Sequence, residues 1–234
     1  MPTQRGGYYT ADGHRIPSVT TVLGRFKESD GLVQWAYQRG RDHASREARG
    51  LLAPSNLYEE VGEAADIGTL VHAMAEDRVH GRDPWDRWLK ASTTLVGDAS
   101  ERARNGFQAF DDWLQHTRLE ILYTEQPLVS ETLRVGGTFD WIARSPSGAL
   151  VMGDTKTSNA IYPEHIVQVA AYRLLWNETH PDEPLADEAH LCQFHKEFGD
   201  FAHHHYSGLE NESEYFRELT GIYRRAQVIK RRAR

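Results

Sequence analysis

The first half of the chain spaces its apolar residues as an α-helix does, one every three or four positions. Ser18 is a candidate N-cap, because a serine hydroxyl can accept a hydrogen bond from the free N–H groups of a first turn. Residues 50–60 lack this spacing and predict a loop, and Gly81 and Pro84 predict the end of the helix before them. The predicted helices begin after Ser18 and extend over 31–49, 63–79 and 94–115.

The middle of the chain changes to short apolar runs bounded by turn residues, which is typical of β-strands. Three consecutive strands are predicted, over 119–129, 132–143 and 149–156. Pro163 suits the first turn of a helix, and we predict a helix from there to Thr179. The last predicted elements are a hairpin and an amphipathic helix, over 188–196, 200–207 and 212–230.

This order of elements predicts an α/β fold whose central mixed β-sheet is flanked by helices. The 234 residues suffice for one large domain, and we expect a single domain over 1–234. Within it, a helical N-terminal portion over 1–62 precedes a core over 63–210. A C-terminal helix with a basic tail, over 211–234, completes the predicted domain.

The composition is that of an ordinary globular protein, with 39% hydrophobic and 26% charged residues. No apolar run reaches the length of a membrane span, so we expect no contact with a membrane. The first residues lack the apolar core of a signal peptide, and a cytoplasmic location is the simplest expectation. Cys192, the single cysteine, excludes an intrachain disulfide and a cysteine-rich metal cluster.

The charge is distributed unevenly along the chain. The net charge is −7, yet residues 224–234 hold six Lys or Arg and no acid, so the rest of the chain carries −13. An acidic protein does not coat nucleic acid non-specifically, which excludes a broad basic binding surface. The basic segment can contact phosphate groups, or it can be a solvated helix end whose cations suit the negative end of the helix dipole.

Two aspartates and a lysine form the most informative pattern in the chain. Asp140 follows Gly-Gly-Thr-Phe at 136–139, and Asp154 and Lys156 lie near the end of the next predicted strand. Alternation along a strand directs Asp154 and Lys156 to one face. Carboxylates buried in apolar strands need a cation or donors, and their oxygens suit Mg²⁺ or Mn²⁺. A metal beside an ammonium group suits the binding of a phosphate and of an attacking water. The alternative interpretation is that the aspartates are turn residues and that Lys156 is a surface lysine or the salt-bridge partner of one of them.

Other polar residues gain meaning only beside this pattern. Gln168 and Tyr172 share one face of the predicted helix, where an ordinary surface pair is the simpler interpretation. His72 lies in an apolar helix and by itself is more typical of a core histidine. We predict no metal site at the histidines of 203–205, because no acidic or cysteine partner stands nearby at ligand spacing. Cys192 lacks a neighbouring base, so a nucleophilic role has little support.

Four motifs in this order resemble the PD-(D/E)XK nuclease superfamily, and within it the RecB-type exonuclease branch that includes the CRISPR-adaptation nucleases. They are Gly-Thr-x-x-His at 68–72, Gly-Gly-Thr-Phe-Asp at 136–140, Asp-Thr-Lys at 154–156 and Gln-x-x-x-Tyr at 168–172. Residues 17–23 and the Trp35-Ala36 pair resemble phage-encoded members. Each motif alone is weak, but their order is specific. The resemblance implies a restriction-endonuclease-like core.

The resemblance also implies roles for single residues. Lys156 would be the catalytic lysine, with Gln168 and Tyr172 positioning it, the attacking water or the DNA end. One or two Mg²⁺ or Mn²⁺ ions would bind to the side chains of His72, Asp140 and Asp154 and to the main-chain carbonyl of Thr155. Glu125 stands where relatives often have an acid. Many relatives hold an iron–sulfur cluster on four cysteines, and the single cysteine here implies that this cluster is absent.

The function implied is that of a metal-dependent DNA exonuclease in recombination, repair or phage replication. It would act in the cytoplasm of a bacterial or phage-infected cell on single- or double-stranded DNA, and a recombination or replication protein is a second candidate partner. Two alternatives stay open. One is a structure-selective endonuclease, and the other is a non-catalytic member of the same fold that binds nucleic acid without cutting it.

Overall fold

The structure, a computed structural model, describes the greater part of the chain. The described residues are 7–26, 37–38, 40–42, 44–45, 47–49, 51, 57–93, 98–158, 160–195 and 197–233, with the backbone alone for 57–65. The chain divides into two compact units. The first comprises Met1–Phe26, Gln108–His195 and Asp200–Arg234, and the second comprises Lys27–Phe107 and Lys196–Gly199. That the chain is a single domain over 1–234 stays a prediction.

The elements are numbered here in chain order. The strands are β1 (Tyr8–Tyr9), β2 (Arg15–Ile16), β3 (Glu120–Thr124), β4 (Pro127–Ser130), β5 (Val135–Thr138), β6 (Trp141–Arg144), β7 (Leu150–Lys156), β8 (Glu188–Phe194) and β9 (Phe201–Ser207). The helices are α1 (Val19–Leu23), α2 (Leu57–Val79), α3 (Pro84–Ser92), α4 (Ala99–Thr117), α5 (Pro163–Thr179) and α6 (Glu210–Arg232). Among the described residues, no helix combines the length and the apolar character that crossing a bilayer requires.

The centre of the first unit is a five-stranded sheet with the order β3-β6-β7-β8-β9. The pair β7 and β8 is parallel, and the other neighbours are antiparallel. The parallel pair needs a long crossover, which α5 supplies between the two strands. The mixed sheet flanked by helices confirms the α/β fold class predicted from the sequence.

Side chains alternate across this sheet and give it two different faces. The face that we call the α5 face carries Ile142, Met152 and Leu191 in one hydrophobic core with residues of α5 and α6, including Trp176 and Phe216. The opposite face, which we call the α4 face, packs against the C-terminal half of α4. Its aromatic contacts, at ring-centroid distances of 5.3 and 5.9 Å, join Trp113 to Trp141 and to Phe194.

The short helix α1 is joined to the core of the first unit at its N-terminus. The Ser18 hydroxyl accepts a hydrogen bond from the Thr21 N–H at 2.9 Å, which confirms the predicted N-cap. The Gly136 N–H donates to the Pro17 carbonyl at 3.0 Å, so the start of α1 lies beside β5. Val19 is fully buried and belongs to the same core as the α5 face.

The second unit is built from helices. The carboxylate of Asp83 accepts a hydrogen bond from the Trp85 N–H at 2.9 Å and caps α3, which packs on α2. The Trp85 ring contacts Phe107 edge-on at 5.3 Å, and the Trp88 indole N–H donates to the Ser100 carbonyl at 2.7 Å. These contacts hold the first turns of α4 against α3 within this unit.

The prediction of three long strands is wrong at two points. The segment 119–129 is divided into β3 and β4, and the segment 132–143 is divided into β5 and β6. The first break falls at Glu125, whose φ of 48° cannot continue a strand, and the second falls at Asp140. The Glu125 N–H donates to the Asp140 carbonyl at 3.1 Å, so the two breaks lie side by side. At this point the chain passes from the five-stranded sheet to the separate β4–β5 pair.

The helix predictions need corrections at their ends. The helix α2 begins at Leu57, so the predicted loop over 50–60 is wrong from there onward. Pro84 occupies the first turn of α3, a helix that the sequence did not predict, because a proline there starts a helix as readily as it ends one. The described helix for 94–115 is α4, with 94–97 outside the described residues. Residues 31–36 also lie outside them, and helical residues occur among 37–48.

Candidate active site

The strand β7 ends in three residues that alternate across the sheet. Asp154 and Lys156 lie on the α5 face, as predicted, and Thr155 lies on the other. The Lys156 Nζ stands 2.5 Å from the Asp154 Oδ2, and the side chains are 17% and 2% exposed. Since β7 lies between β6 and β8, the backbone that carries both side chains is held from two sides. The strand therefore holds an ion pair almost out of water.

Gln168 on α5 ties the two charged groups together. Its amide Nε2 donates to the Asp154 Oδ1 at 3.2 Å, and its Oε1 accepts from the Lys156 Nζ at 3.4 Å. A side-chain amide offers both a donor and an acceptor, so one residue can bond to the carboxylate and to the ammonium group at once. The interpretation of Gln168 as an ordinary surface residue is therefore wrong.

Asp140 reaches the same strand from the break between β5 and β6. Its Oδ2 accepts a hydrogen bond from the Thr155 main-chain N–H at 2.7 Å. This bond fixes the carboxylate of Asp140 to the peptide that follows Asp154. The two aspartates that are fourteen residues apart in the sequence are thus both held at the end of the same strand. The role of the Thr155 carbonyl as a metal ligand stays a prediction.

Glu125 lies beside Asp140 at the paired breaks. Their carboxylates have oxygens within 4.8 Å of each other. Glu125 also adopts a left-handed backbone conformation, which is uncommon for a residue with a side chain and often marks a site where geometry is imposed. The sequence analysis predicted a continuous strand through Glu125. Only the resemblance to the nuclease family identified this residue as a candidate.

Tyr172 closes the buried side of the site. It is 4% exposed, and burial, followed by the negative charges of Asp154 and Asp140, raises the pKa of its phenol well above 10. The phenol therefore stays protonated throughout the physiological range. A Cβ atom on Gly137 would lie 2.3 Å from the Tyr172 Cε1, so only glycine leaves room for this ring.

The neighbouring glycine has the same function toward a second aromatic ring. A Cβ on Gly136 would lie 2.4 Å from the Cγ of Tyr8, whose hydroxyl is 3.0 Å from the Thr138 Oγ1. The Gly-Gly-Thr sequence before Asp140 is thus a packing surface for two tyrosines. This is the physical reason for the pattern that opens the second motif.

The comparison with known proteins identifies the family. A family model for the PD-(D/E)XK nuclease superfamily matches residues 40–232. The chain belongs to this superfamily. The resemblance to the superfamily is therefore confirmed, and the function shown is that of a hydrolytic nuclease. Members of the superfamily generally use divalent metals, and the described residues of this PD-(D/E)XK protein include acidic groups that can bind one.

Two solved structures share part of the fold. One is a protein from Eubacterium rectale assigned as a candidate exonuclease, with 9% identity, 76% of this chain and 68% of that chain covered, and a TM-score of 0.45. The other is the protein SSO0001, with 13% identity, 66% and 72% covered, and a TM-score of 0.33. Neither likeness is close enough to assign an activity. No curated protein matches the sequence.

The oxygen donors of this site suit a hard divalent cation. Asp140 and Glu125 offer carboxylate oxygens, which Mg²⁺ and Mn²⁺ prefer. Asp154 adds a carboxylate whose oxygens contact Lys156 and Gln168. Asp154 is 1% exposed, and a carboxylate so deeply buried is stable only next to positive charge. Lys156 supplies that charge, and a bound cation would supply more. His72 lies half-buried on α2 of the second unit, and its role as a ligand stays a prediction.

Two further predictions concern residues outside this site. Burial, with the charges of Asp154 and Asp140, raises the pKa of the Cys192 thiol well above its usual value, which argues against a nucleophilic thiolate there. The expectation that the histidines of 203–205 lack an acidic neighbour is wrong. Pairing of β8 with β9 brings Glu188 and His190 next to His205, a relation that depends on register and is invisible in the linear sequence.

Proposed function

We propose that this nuclease is a Mg²⁺- or Mn²⁺-dependent exonuclease that hydrolyses DNA phosphodiester bonds from an end. One observation carries the proposal: Asp154, Lys156 and Gln168 are joined by one ion pair and two hydrogen bonds beside Asp140 at the end of β7. Fixed donors and charges of this kind stabilise the negative charge that develops on phosphorus, and they need no rearrangement at the moment of reaction.

The residues of this site have distinct roles in this proposal. A bound divalent ion would act as a Lewis acid and lower the pKa of a water molecule. Asp140 and Asp154 would hold one or two such ions, with the Thr155 carbonyl and His72 as further ligands. Lys156 would orient the attacking water and place its charge next to the non-bridging oxygens. Gln168 would keep Lys156 at the correct position, and Tyr172 would remain a neutral hydrogen-bonding group beneath them.

The charge distribution fits a substrate that enters a confined site. The protein has a net charge of −7, so affinity for DNA must come from local groups. The last turns of α6 expose five cations, which are Arg224, Arg225, Lys230, Arg231 and Arg232. Together with the bound metal they would provide positive charge close to the substrate. The wider setting, DNA recombination, repair or phage replication with a protein partner in the cytoplasm, rests on the family resemblance.

The test compares DNA forms with and without free ends. The protein is incubated with Mg²⁺ or Mn²⁺ and end-labelled single-stranded, double-stranded or covalently closed circular DNA, with EDTA as a control. We expect linear DNA to be degraded from an end and closed circles to persist. Cleavage of closed circles would show that the protein is an endonuclease. If no form of DNA were degraded in the presence of metal, the protein would instead be a non-catalytic nucleic-acid-binding member of the fold.

A variant pair links the activity to the site. Asp154→Asn removes a charge that holds the metal, and we expect a rate at least about 10²-fold lower, the scale of losing one preorganised electrostatic group. The matched control is Asp86→Asn, because Asp86 also pairs with a lysine but lies at the surface, with its side chain 61% exposed. Equal activity in the two variants would remove Asp154 from the proposed site.

A further inference from the structure

Three histidines and a glutamate meet on the α4 face of the sheet. The Glu188 Oε2 stands 3.2 Å from the His205 Nε2 and 3.7 Å from the His190 Nε2. The rings of His190 and His205 stack with centroids 4.8 Å apart. The pairing of β8 with β9 produces this arrangement, because its register places His190 opposite His205.

His190 is buried, and one of its ring nitrogens lacks a hydrogen bond. The residue is 8% exposed, and the Nδ1 is 2.9 Å from the Nε2 of His203. The Nε2 has no hydrogen-bond partner within the part of the chain that the structure describes, although it faces Glu188. A buried polar atom without a partner is costly, so its retention calls for an explanation.

The separations are those of ligands around one small ion. Two ligand atoms that each lie 2.0–2.1 Å from a tetrahedral zinc ion are about 3.3–3.4 Å apart. The distances from the Glu188 Oε2 to the two imidazole nitrogens lie close to this value, and all three atoms are within 4.8 Å of one another. Small rotations of the side chains would bring them onto a common centre.

The contact between His190 and His203 has the form of an outer hydrogen bond to a metal ligand. A metal-bound histidine usually donates its other ring N–H to an acceptor, which fixes the ring and its tautomer. With the proton on the Nδ1 of His190 donated to the Nε2 of His203, the Nε2 of His190 presents a lone pair toward Glu188 and His205.

We propose that Glu188, His190 and His205 bind a zinc-type transition-metal ion, and that His203 positions His190. Two imidazoles and a carboxylate favour Zn²⁺ over Mg²⁺, which prefers oxygen ligands alone. This site is separate from the candidate active site, which we call the carboxylate site after Asp140 and Asp154. Leu191 pairs with Asp154 and shares its face of the sheet, and the adjacent residue on the strand, His190, points to the opposite face. A metal here joins the edge strand β9 to β8 and stabilises the folded state by mass action.

The first experiment measures binding in untagged full-length protein stripped with a chelator. Zn²⁺ is titrated by calorimetry, and Co²⁺ is followed by its visible absorption, with Mg²⁺ as a comparison. We expect one Zn²⁺ per chain on the α4 face, and the Asp140→Asn/Asp154→Asn double variant should keep it. Loss of the Zn²⁺ in that double variant would place the ion at the carboxylate site and overturn the proposal.

Variants on β9 identify the ligands. His205→Ala should weaken Zn²⁺ binding by at least about 10²-fold, and His203→Ala, which removes only a positioning group, by roughly 10-fold to 100-fold. The matched control is His204→Ala, because His204 stands between these residues and points to the opposite face. Unchanged Zn²⁺ affinity in His205→Ala would refute the site.

Thermal unfolding provides a second readout, which also shows whether each variant is folded. Zn²⁺ should raise the Tm of the wild-type protein and of His204→Ala, and it should leave the Tm of His205→Ala and Glu188→Gln unchanged. His205 is half exposed, so its replacement leaves the core intact. An equal rise in all four proteins would show that Zn²⁺ binds elsewhere.

Discussion

The two faces of the five-stranded sheet each carry buried polar side chains, but they assemble them in opposite ways. On the α5 face, Asp154 and Lys156 are two residues apart on one strand, and Gln168 joins them from the next helix. On the α4 face, His190 and His205 come from different strands and meet through their register. The residues of the α5 face lie within one short segment of the sequence. Those of the α4 face come together only when β8 pairs with β9.

The faces also differ in how their polar groups are satisfied. On the α5 face the amide of Gln168 bonds to both members of the ion pair, so the two charged groups are held in place before a ligand arrives. On the α4 face the His190 Nε2 is left over after the contact with His203 has formed. Groups that are held in place in advance suit catalysis, because they need no rearrangement during the reaction. Ligand atoms that still lack a partner suit the binding of a metal ion.

The largest predicted effect separates the faces by activity. Lys156→Ala removes the charge that would stabilise the transition state, and we expect cleavage of linear DNA to slow by about 10²–10³-fold. His205→Ala should leave the rate per folded molecule within about 3-fold of wild type, because it touches only the α4 face. Initial rates under single-turnover conditions provide the comparison.

Lys90→Ala is the matched control for this prediction. Lys90 also forms a lysine–aspartate pair, 2.7 Å from Asp86, but its side chain is 75% exposed. Exposed pairs contribute little, so this variant should behave as wild type. A similar loss of rate in Lys156→Ala and His205→Ala would show that the two faces do not act independently.

The next predicted effect is a loss of stability when alanine replaces a glycine that packs against an aromatic ring. Gly137 packs against Tyr172 on the α5 face, and Gly153 packs against Trp141 on the α4 face. Gly137→Ala would place a Cβ 2.3 Å from the Tyr172 Cε1, and Gly153→Ala would place one 1.9 Å from the Trp141 Cζ2. Each should destabilise the protein by about 1–3 kcal/mol, since a packed ring must shift. Because Tyr172 lies beneath the carboxylates, Gly137→Ala should also reduce the rate per folded molecule more than Gly153→Ala does.

Denaturant unfolding measures these costs, with Gly221→Ala as the control. Gly221 lies on α6 with no atom within 4 Å of the Cβ that alanine would add. Alanine there should be neutral or should stabilise the helix by up to about 1 kcal/mol. Equal midpoints for all three variants would show that neither ring is held by the contact with its glycine.

A third predicted effect tests whether a buried carboxylate beside cations always belongs to an active site. In the second unit, Asp77 is 4% exposed and accepts hydrogen bonds from Arg87 and Arg82. These bonds lower the pKa of Asp77 to about 2. The folded-state pKa lies below the unfolded value near 3.8, so the stabilisation is present above that pH and is lost as the pH falls toward 2.

Asp77→Asn should therefore lower the Tm at neutral pH, with a difference from wild type that shrinks as the pH is reduced below about 4. The rate of DNA cleavage per folded molecule should not change. A constant Tm difference across this range would contradict the ion-pair assignment. A loss of activity as large as that of Asp154→Asn would show that the site includes Asp77.

The smallest predicted effect concerns α6, the helix that packs on α5. Removal of residues 224–234 takes away the exposed cations at the end of α6. If these cations bind phosphates, DNA affinity should fall a few-fold, and the slope of log affinity against log salt should become shallower by about 0.9 for each phosphate that is no longer neutralised. Equilibrium binding at several salt concentrations, with EDTA to prevent cleavage, gives both values. An unchanged slope would make the segment a solvated helix end.

Local patterns predicted the elements whose limits depend on local chemistry. The helix α5 begins at Pro163 and ends at Thr179 as predicted, because a proline suits its first turn and further prolines follow it. The hairpin of β8 and β9 was also found at its correct place. The breaks at Glu125 and Asp140 were missed, since their apolar surroundings are those of a continuous strand.

The sequence by itself determined the relations that depend on the period of one element. Asp154 and Lys156 share a face because strand side chains alternate, and Gln168 and Tyr172 share a face because a helix repeats every 3.6 residues. Tertiary structure decided every relation between distant segments. It brought Asp140 to the Thr155 N–H and placed Glu188 beside His205. Strand register and helix packing fix these contacts, and neither is encoded in the spacing of residues along a single segment.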